Sequence, residues 1–350
     1  MAKEEVLILG AGFLGVNAAM ELDDSGYEVT LIDDGLSHEY IPATIDLIRG
    51  RAEARDLELD LEEYFSEEVE LIDDRVNEIR PEEKVVETRK GLHGYDQLVI
   101  GLGGEPRTFD MDVSEAHDIW TLENTEKLVE ELEEAEKAVV VGAGCLGIEA
   151  AGEIAEKGVE TVIVDGKTRP APRLTERSSE KVLEIFEKKR ISFRGGKKAE
   201  DVSARSVVLE DGEKIEADAI VWSGGVKASE VVQESFDTGH RGAEVNKGLS
   251  AVGYEDVFVG GDCADTGHMK LARNAMHEAE VIAENIRKDE GPLEEAEDSS
   301  IMIAGIGDTG AVIYGDSIVS TGRHARIMKD LVRKYYFLRL KWKKLKSKYL

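Results

Sequence analysis

The sequence predicts an α/β protein built from two parallel βαβ units and ended by an amphipathic helix. Three observations carry that expectation. The stretch Val6–Gly15 joins an apolar strand to G-x-G-x-x-G, with Asp33 at the end of a second apolar strand. Residues 138–166 repeat residues 6–34 without a gap, with 11 of the 29 positions identical. Residues 323–350 carry eleven Lys and Arg against one acid, with apolar residues at helical spacing.

The run Val6-Leu7-Ile8-Leu9 reads as a parallel strand buried on both faces. Gly10 permits a tight turn, Gly12 lets backbone N–H groups approach a pyrophosphate, and Gly15 lets the next helix pack against the strand. That helix runs through Val16–Leu22, and its positive N-terminal end favours phosphate. Gly26 and Tyr27 turn the chain, Val29–Ile32 forms the second strand, and Asp33, followed by Asp34, stands where a ribose diol is held. In the second copy Gly142, Gly144, Gly147 and Asp165 take the same places. Two intact fingerprints imply two dinucleotides and two Rossmann-like domains. A duplication with one decayed copy is the alternative, and intact glycines and acids in both copies argue against it.

Further elements fall between and after these units. His38-x-Tyr40-x-Pro42 lies near the mouth of the first site, followed by an amphipathic stretch to Tyr64. Short antiparallel strands are expected at Val69–Ile72, Val76–Ile79 and Lys84–Thr88, and helices at Glu123–Glu136 and Ser178–Lys189. The apolar strand Leu98–Ile100 ends in Gly101, Gly103 and Gly104, and the strand Ala219–Trp222 ends in Gly224 and Gly225. Glycines at a strand end allow a cofactor to approach the backbone, or simply let the strand exit. Val257–Val259 brings Asp262 back toward the first unit, as a flavin ribityl ligand, as an N-cap of the following helix, or as both. Residues 289–299 read as an acidic linker and 301–320 as short strands. The resulting domains are 1–110 with 240–298, 111–239, and 299–350.

Composition narrows the function. The chain holds 44 Lys and Arg against 74 Asp and Glu, a net charge of −30. An acidic body disfavours nucleic acid as a partner. Cys145 and Cys263 form no C-x-x-C pair, which disfavours both a disulfide framework and a metal site. No leader is expected ahead of a first strand that starts this early, and no apolar run approaches the roughly 20 residues of a spanning helix. A cytosolic body is expected, peripheral on the inner face of the cell membrane.

The membrane expectation comes from the tail. Met328, Leu331, Tyr335, Leu338, Trp342, Leu345 and Tyr349 follow 3,4 spacing and make one apolar stripe. Lys341, Lys343, Lys344, Lys346 and Lys348 crowd its end, the pattern of an interfacial helix at an anionic surface. Packing on the protein's own core and a homodimer seam are the competing roles. Phe337 and Leu340 lie off the stripe, so protein on one side and lipid on the other is also consistent.

Together these residues resemble the type II NADH:quinone oxidoreductases, within the two-dinucleotide flavoproteins. The likeness rests on Gly10–Gly15, His38-x-Tyr40-x-Pro42, Gly142–Glu149, Trp222–Val226, Gly261–Ala264 and the basic C-terminal helix. It implies FAD in the first domain, held by Gly10, Gly12, Phe13, Leu14, Gly15, Asp33, Asp34, Pro42, Val76, Gly101, Gly103 and Asp262. NADH in the second would use Gly142, Gly144, Gly147, Asp165, Gly224 and Gly225. Quinone would be the acceptor, with Glu149 as a proton relay; an ordinary first-turn helix acid is the other reading of Glu149. Asp165 favours NADH over NADPH, with Lys167 and Arg169 nearby. One departure bears on the acceptor: the family's Ala-Gln-x-Ala-x-Gln reads Ala272-Arg273-Asn274-Ala275-Met276-His277 here. A soluble reductase of a protein carrier such as ferredoxin, and a non-catalytic flavin-binding redox sensor, are the alternatives.

Overall fold

A computed structural model describes residues 3–23, 26–65, 69–236, 238–239, 241–288, 293–298 and 301–349. Two all-parallel sheets form its frame. The first has the order Val257–Val259, Gln97–Ile100, Glu5–Leu9, Glu28–Asp33, Val69–Asp73. The second has the order Ser192–Gly195, Glu160–Asp165, Lys137–Val141, Ala219–Trp222. Their central strands are buried beyond the first residue, which is why Val6–Leu9 and Ala138–Val141 read as unbroken apolar runs. Each fingerprint helix, Phe13–Leu22 and Cys145–Lys157, follows the first strand of its sheet. With the resemblance above, this is the two-dinucleotide flavoprotein architecture.

An antiparallel ribbon, Gly104–Pro106 paired with Val226–Ala228, crosses between the domains just beyond the glycine-rich strand ends. A three-stranded antiparallel sheet, Ile301–Ile306, Thr309–Tyr314 and Ser317–Gly322, then packs on the second domain. The contact is close: a Cβ on Gly152 of the fingerprint helix would lie 2.6 Å from the Gly307 nitrogen. The C-terminal helix Arg323–Tyr349 leaves this sheet and returns to the first domain, where Tyr336 and Leu340 join the core.

Some expectations need correction. Val69–Asp73 is not antiparallel; it is the parallel edge of the first sheet, and its mixed burial hides the difference in sequence. The antiparallel group is Val76–Arg80, Val85–Thr88 and Leu92–Gly94. The amphipathic stretch expected up to Tyr64 is divided: a 3-10 segment, Ile41–Arg49, is stopped by Gly50 in the left-handed region, and Ala54–Asp56, Glu58–Asp60 and the short helix Leu61–Tyr64 follow. The expected helix Glu123–Glu136 runs Leu122–Glu131, and of the linker 289–299 only 293–298 lies within the described residues.

Candidate functional site

Each fingerprint forms the same small cradle. Gly10, at φ +92°, faces the Gly101 carbonyl so closely that a Cβ would lie 2.4 Å from its oxygen; Gly142, at φ +106°, faces Ser223 at 2.1 Å. Gly15 and Gly147 press on the carbonyls of Gly10 and Gly142, at 1.8 and 1.9 Å by the same measure. Gly12 and Gly144 differ. A Cβ on Gly12 would meet nothing nearer than 3.8 Å, and one on Gly144 nothing within 4 Å. They cap helices whose first N–H groups have no partner inside the helix. Open space in front of unclaimed donors suits a pyrophosphate, so both cradles fit a dinucleotide.

The acids hold these turns. Asp33 Oδ2 accepts the Ala11 N–H at 2.8 Å, and Asp165 Oδ2 accepts the Ala143 N–H at 2.7 Å. Asp165 Oδ1 takes the Lys167 N–H at 2.6 Å. Burial pushes the Asp33 carboxyl up, with the Ala11 N–H opposing it. Asp34 points to Arg75 and Arg89 at 3.9 and 3.6 Å. Arg169 is committed elsewhere, to the Leu174 and Pro172 carbonyls and the Ser179 hydroxyl.

Asp262 lies beside the first cradle, in the 3-10 turn Gly261–Cys263; a Cβ on Gly104 would be 3.2 Å from its Cβ. The next helix starts only at Ala272 with Leu271 as its cap, so Asp262 is not the N-cap. Two residues that the sequence analysis passes over hold this turn. Glu278 accepts the Gly261 N–H at 2.6 Å, and Lys270 Nζ donates to the Gly261 carbonyl at 2.9 Å and to that of Ala264. Burial raises the Asp262 carboxyl against the pull of Lys270, and burial lowers the Lys270 ammonium. Leu14 fills the space between Gly101 and Gly260, and Gly103 and Gly225, both at positive φ, flank the interdomain ribbon. Gly224 packs on the Trp222 indole.

Other expected residues lie on further elements. Val76 belongs to the apolar core on one face of the first sheet, and Pro42 is the second residue of the 3-10 segment. Arg273 is exposed, and His277 is half-buried, 4.0 Å from Glu280. Burial pushes the Cys145 thiol up to about 11 and that of Cys263 up to about 12, so neither is a thiolate near neutrality. Among the described residues no cluster of three or more His, Cys, Asp or Glu could hold a metal ion.

Glu149 is the fifth residue of its helix, beyond the first turn, which removes the reading of it as a first-turn acid. Its buried carboxylate accepts the Gly305 N–H and is ion-paired with Lys329 of the C-terminal helix. That helix is inverted. Arg326, Lys329, Arg333, Tyr336, Leu340 and Lys343, again at 3,4 spacing, face the protein. Arg326 pairs with buried Asp46, and Arg333 lies 3.4 Å from it. Lys343 pairs with Glu21, and Arg339 donates to Glu280 at 2.5 Å. The opposite stripe, Met328, Leu331, Tyr335, Leu338 and Trp342, is 44 to 67% exposed. It does not pack on the protein's own core. Lys343 and Lys344 are turned to the body, Lys344 onto the Glu63 carbonyl, rather than outward. Leu345 and Tyr349 lie outside the residues whose side chains are described.

Comparison with known proteins follows this geometry. The model of the pyridine nucleotide-disulphide oxidoreductases matches residues 4–279. The type II NADH:quinone oxidoreductase of Staphylococcus haemolyticus (strain JCSC1435) is 26% identical, over 94% of both chains. NDH2 from Plasmodium falciparum, solved in complex with NADH, superposes with a TM-score of 0.85 at 16% identity, covering 99% of this chain and 96% of its own. The ferredoxin reductase for the CYP199A2 system of Rhodopseudomonas palustris gives 0.80 at 24% identity, covering 89% and 82%. With two complete dinucleotide cradles and a family match over most of its length, the chain belongs to the pyridine nucleotide-disulphide oxidoreductases, flavin enzymes that work with FAD and NAD(P)H.

Proposed function

We propose that the protein oxidises NADH at the second cradle, with FAD in the first, and delivers the electrons to a quinone at a membrane surface. The observation that carries this reading is the inverted C-terminal helix. A face of five large apolar and aromatic residues is left in solvent while the opposite face spends its cations on the acidic body. Such a face is suited to the lipid boundary, where tryptophan and tyrosine sit well. Among the described residues no helix is long and apolar enough to cross a membrane, so contact would be peripheral. The full-length relatives support the quinone.

When bound, FAD supplies the hydride-accepting chemistry, and the chain positions and insulates it. Gly12 and the first turn of its helix would hold the FAD pyrophosphate, and Asp262 the ribityl chain. Gly144 and Asp165 would hold NADH, the Asp165 charge disfavouring a 2′-phosphate. Glu149, supported by Lys329, is the candidate proton relay.

Arg273 and His277, in place of the family's two glutamines, favour a second reading as a soluble reductase of a protein carrier. Steady-state NADH oxidation with a soluble quinone and then with a ferredoxin separates the two. Quinone turnover that rises on adding vesicles, and that falls in Trp342→Glu, is expected. Turnover with the carrier alone would refute the quinone assignment.

A further inference from the structure

The two G-x-G turns differ in how their middle carbonyl is held. In the second copy the Ala171 N–H donates to the Ala143 carbonyl at 2.7 Å, backbone to backbone. In the first, the Ala11 carbonyl meets His38 Nδ1 at 2.9 Å. His38 is wholly buried, and its Nε2 lies 2.8 Å from the Tyr336 hydroxyl on the C-terminal helix. Burial lowers the His38 pKa to about 4, so the ring is neutral and has a single proton to place. A carbonyl can only accept, so that proton is on Nδ1, and the Tyr336 O–H must donate to Nε2. Beside the same phenol lies Asn17, whose Nδ2 donates to the Phe13 carbonyl at 2.7 Å. One hydroxyl near the chain's end therefore braces the turn at Ala11. The Phe13 ring adds packing, with centroids 4.9, 5.5 and 5.2 Å from those of His38, Tyr40 and Tyr336.

We propose that Tyr336, acting through His38, is a positioning residue of the first dinucleotide site, so that the C-terminal helix completes the cradle for FAD. The proposal rests on FAD occupying the first fingerprint. Without the hydroxyl, Nε2 is buried with no donor. The imidazole then loses one of the two bonds that fix its orientation and can turn its Nδ1–H off the Ala11 carbonyl. The turn shifts, and with it the N–H groups aimed at the pyrophosphate. The second cradle has no such dependence, because its carbonyl is held by a nearby backbone amide.

The test uses the holoprotein. FAD release after dilution is followed by the fluorescence of free flavin, and NAD⁺ affinity by calorimetric titration. Tyr336→Phe keeps the ring and removes the hydroxyl. It should weaken FAD binding roughly tenfold, the worth of about one buried hydrogen bond left unmade, and leave NAD⁺ affinity unchanged. His38→Asn offers an amide N–H near the Nδ1 position with no tautomer to select. In that background Tyr336→Phe should change FAD binding by less than about twofold, since the two act as one unit. A general structural role for Tyr336 would weaken both nucleotides together and would not depend on His38. Unchanged FAD retention in Tyr336→Phe, or an undiminished effect in the His38→Asn background, overturns the proposal alone. A parent chain that takes up no FAD overturns the flavin reading beneath it as well.

Discussion

The two fingerprints share 11 of 29 residues, and both fingerprint acids clamp the same backbone N–H, yet they meet the C-terminal helix differently. The equivalent helix positions are Asn17 and Glu149, and both are buried. Asn17 faces the middle of the C-terminal helix as a neutral side chain beside Tyr336, and Arg339 lies 3.5 Å away. Glu149 reaches its start through an ion pair with Lys329. A duplicated unit keeps what the nucleotide needs, the glycines and the acid. It diverges where a third element docks. The helix that presents an apolar face to solvent is therefore also a strap across both nucleotide domains.

The ionic half of that comparison should be the costlier to break. Lys329→Met leaves the Glu149 carboxylate buried without its cation, and stability should fall by about 3–5 kcal/mol. Adding Glu149→Gln should recover much of the loss, because a neutral amide can be buried where an orphan charge cannot. Denaturant unfolding of the three proteins measures both values. A Lys329→Met protein as stable as its parent would mean that the pair contributes nothing.

This also changes what the tail is. From its sequence it looks like a separate segment, 299–350, suited to a membrane surface. With Glu149, Asp46 and His38 all buried against it, removal would strand two carboxylates and an imidazole. The fingerprints were legible because a G-x-G-x-x-G turn is set by residues within about one helical turn. The outward stripe was legible because apolar periodicity is local too. The inward stripe was present at the same spacing, but apart from Leu340 its residues are Arg, Lys and Tyr, which read as a solvated face. Their partners lie far away in the chain, Asp46 from Arg326 and His38 from Tyr336, and only the fold joins them. Asp262 was found by its motif, whereas Glu278 and Lys270, which hold its turn, carry no pattern that marks them.

The neutral half responds to pH. The folded chain holds His38 neutral, with its pKa lowered from 6.5 to about 4. Between those values the unfolded chain binds a proton that the folded one refuses, so stability is lost as pH falls through this window. The loss is about 3 kcal/mol in full. Buried Asp33, Glu153 and Asp262, whose carboxyls are raised by burial, act in the opposite sense. The difference between the parent and His38→Asn isolates the histidine. Melting near about pH 7 and near about pH 5 should show a steeper loss in the parent, and equal slopes would remove His38 from the account.

The smallest effect expected is on donor choice. Asp165→Asn keeps an oxygen for the Ala143 N–H and removes the charge that opposes a 2′-phosphate. The preference for NADH over NADPH should narrow by roughly tenfold in the rate of flavin reduction. An unaltered preference would move the discrimination to other groups around that turn, with Lys167 the nearest.

The division of labour between the cradles is tested most directly by a matched pair of blocked sites under anaerobic mixing with NADH. Within the two fingerprints Gly12 and Gly144 are the cradle glycines with room for a Cβ, and valine at either would fill the position of a pyrophosphate. Gly12→Val should yield a folded, colourless protein that still binds NAD⁺. Gly144→Val should remain yellow, while its flavin is no longer bleached by NADH that bleaches the parent within the mixing experiment. A Gly144→Val protein whose flavin is reduced at the parental rate, or a Gly12→Val protein that retains its FAD, would contradict the assignment of the two sites.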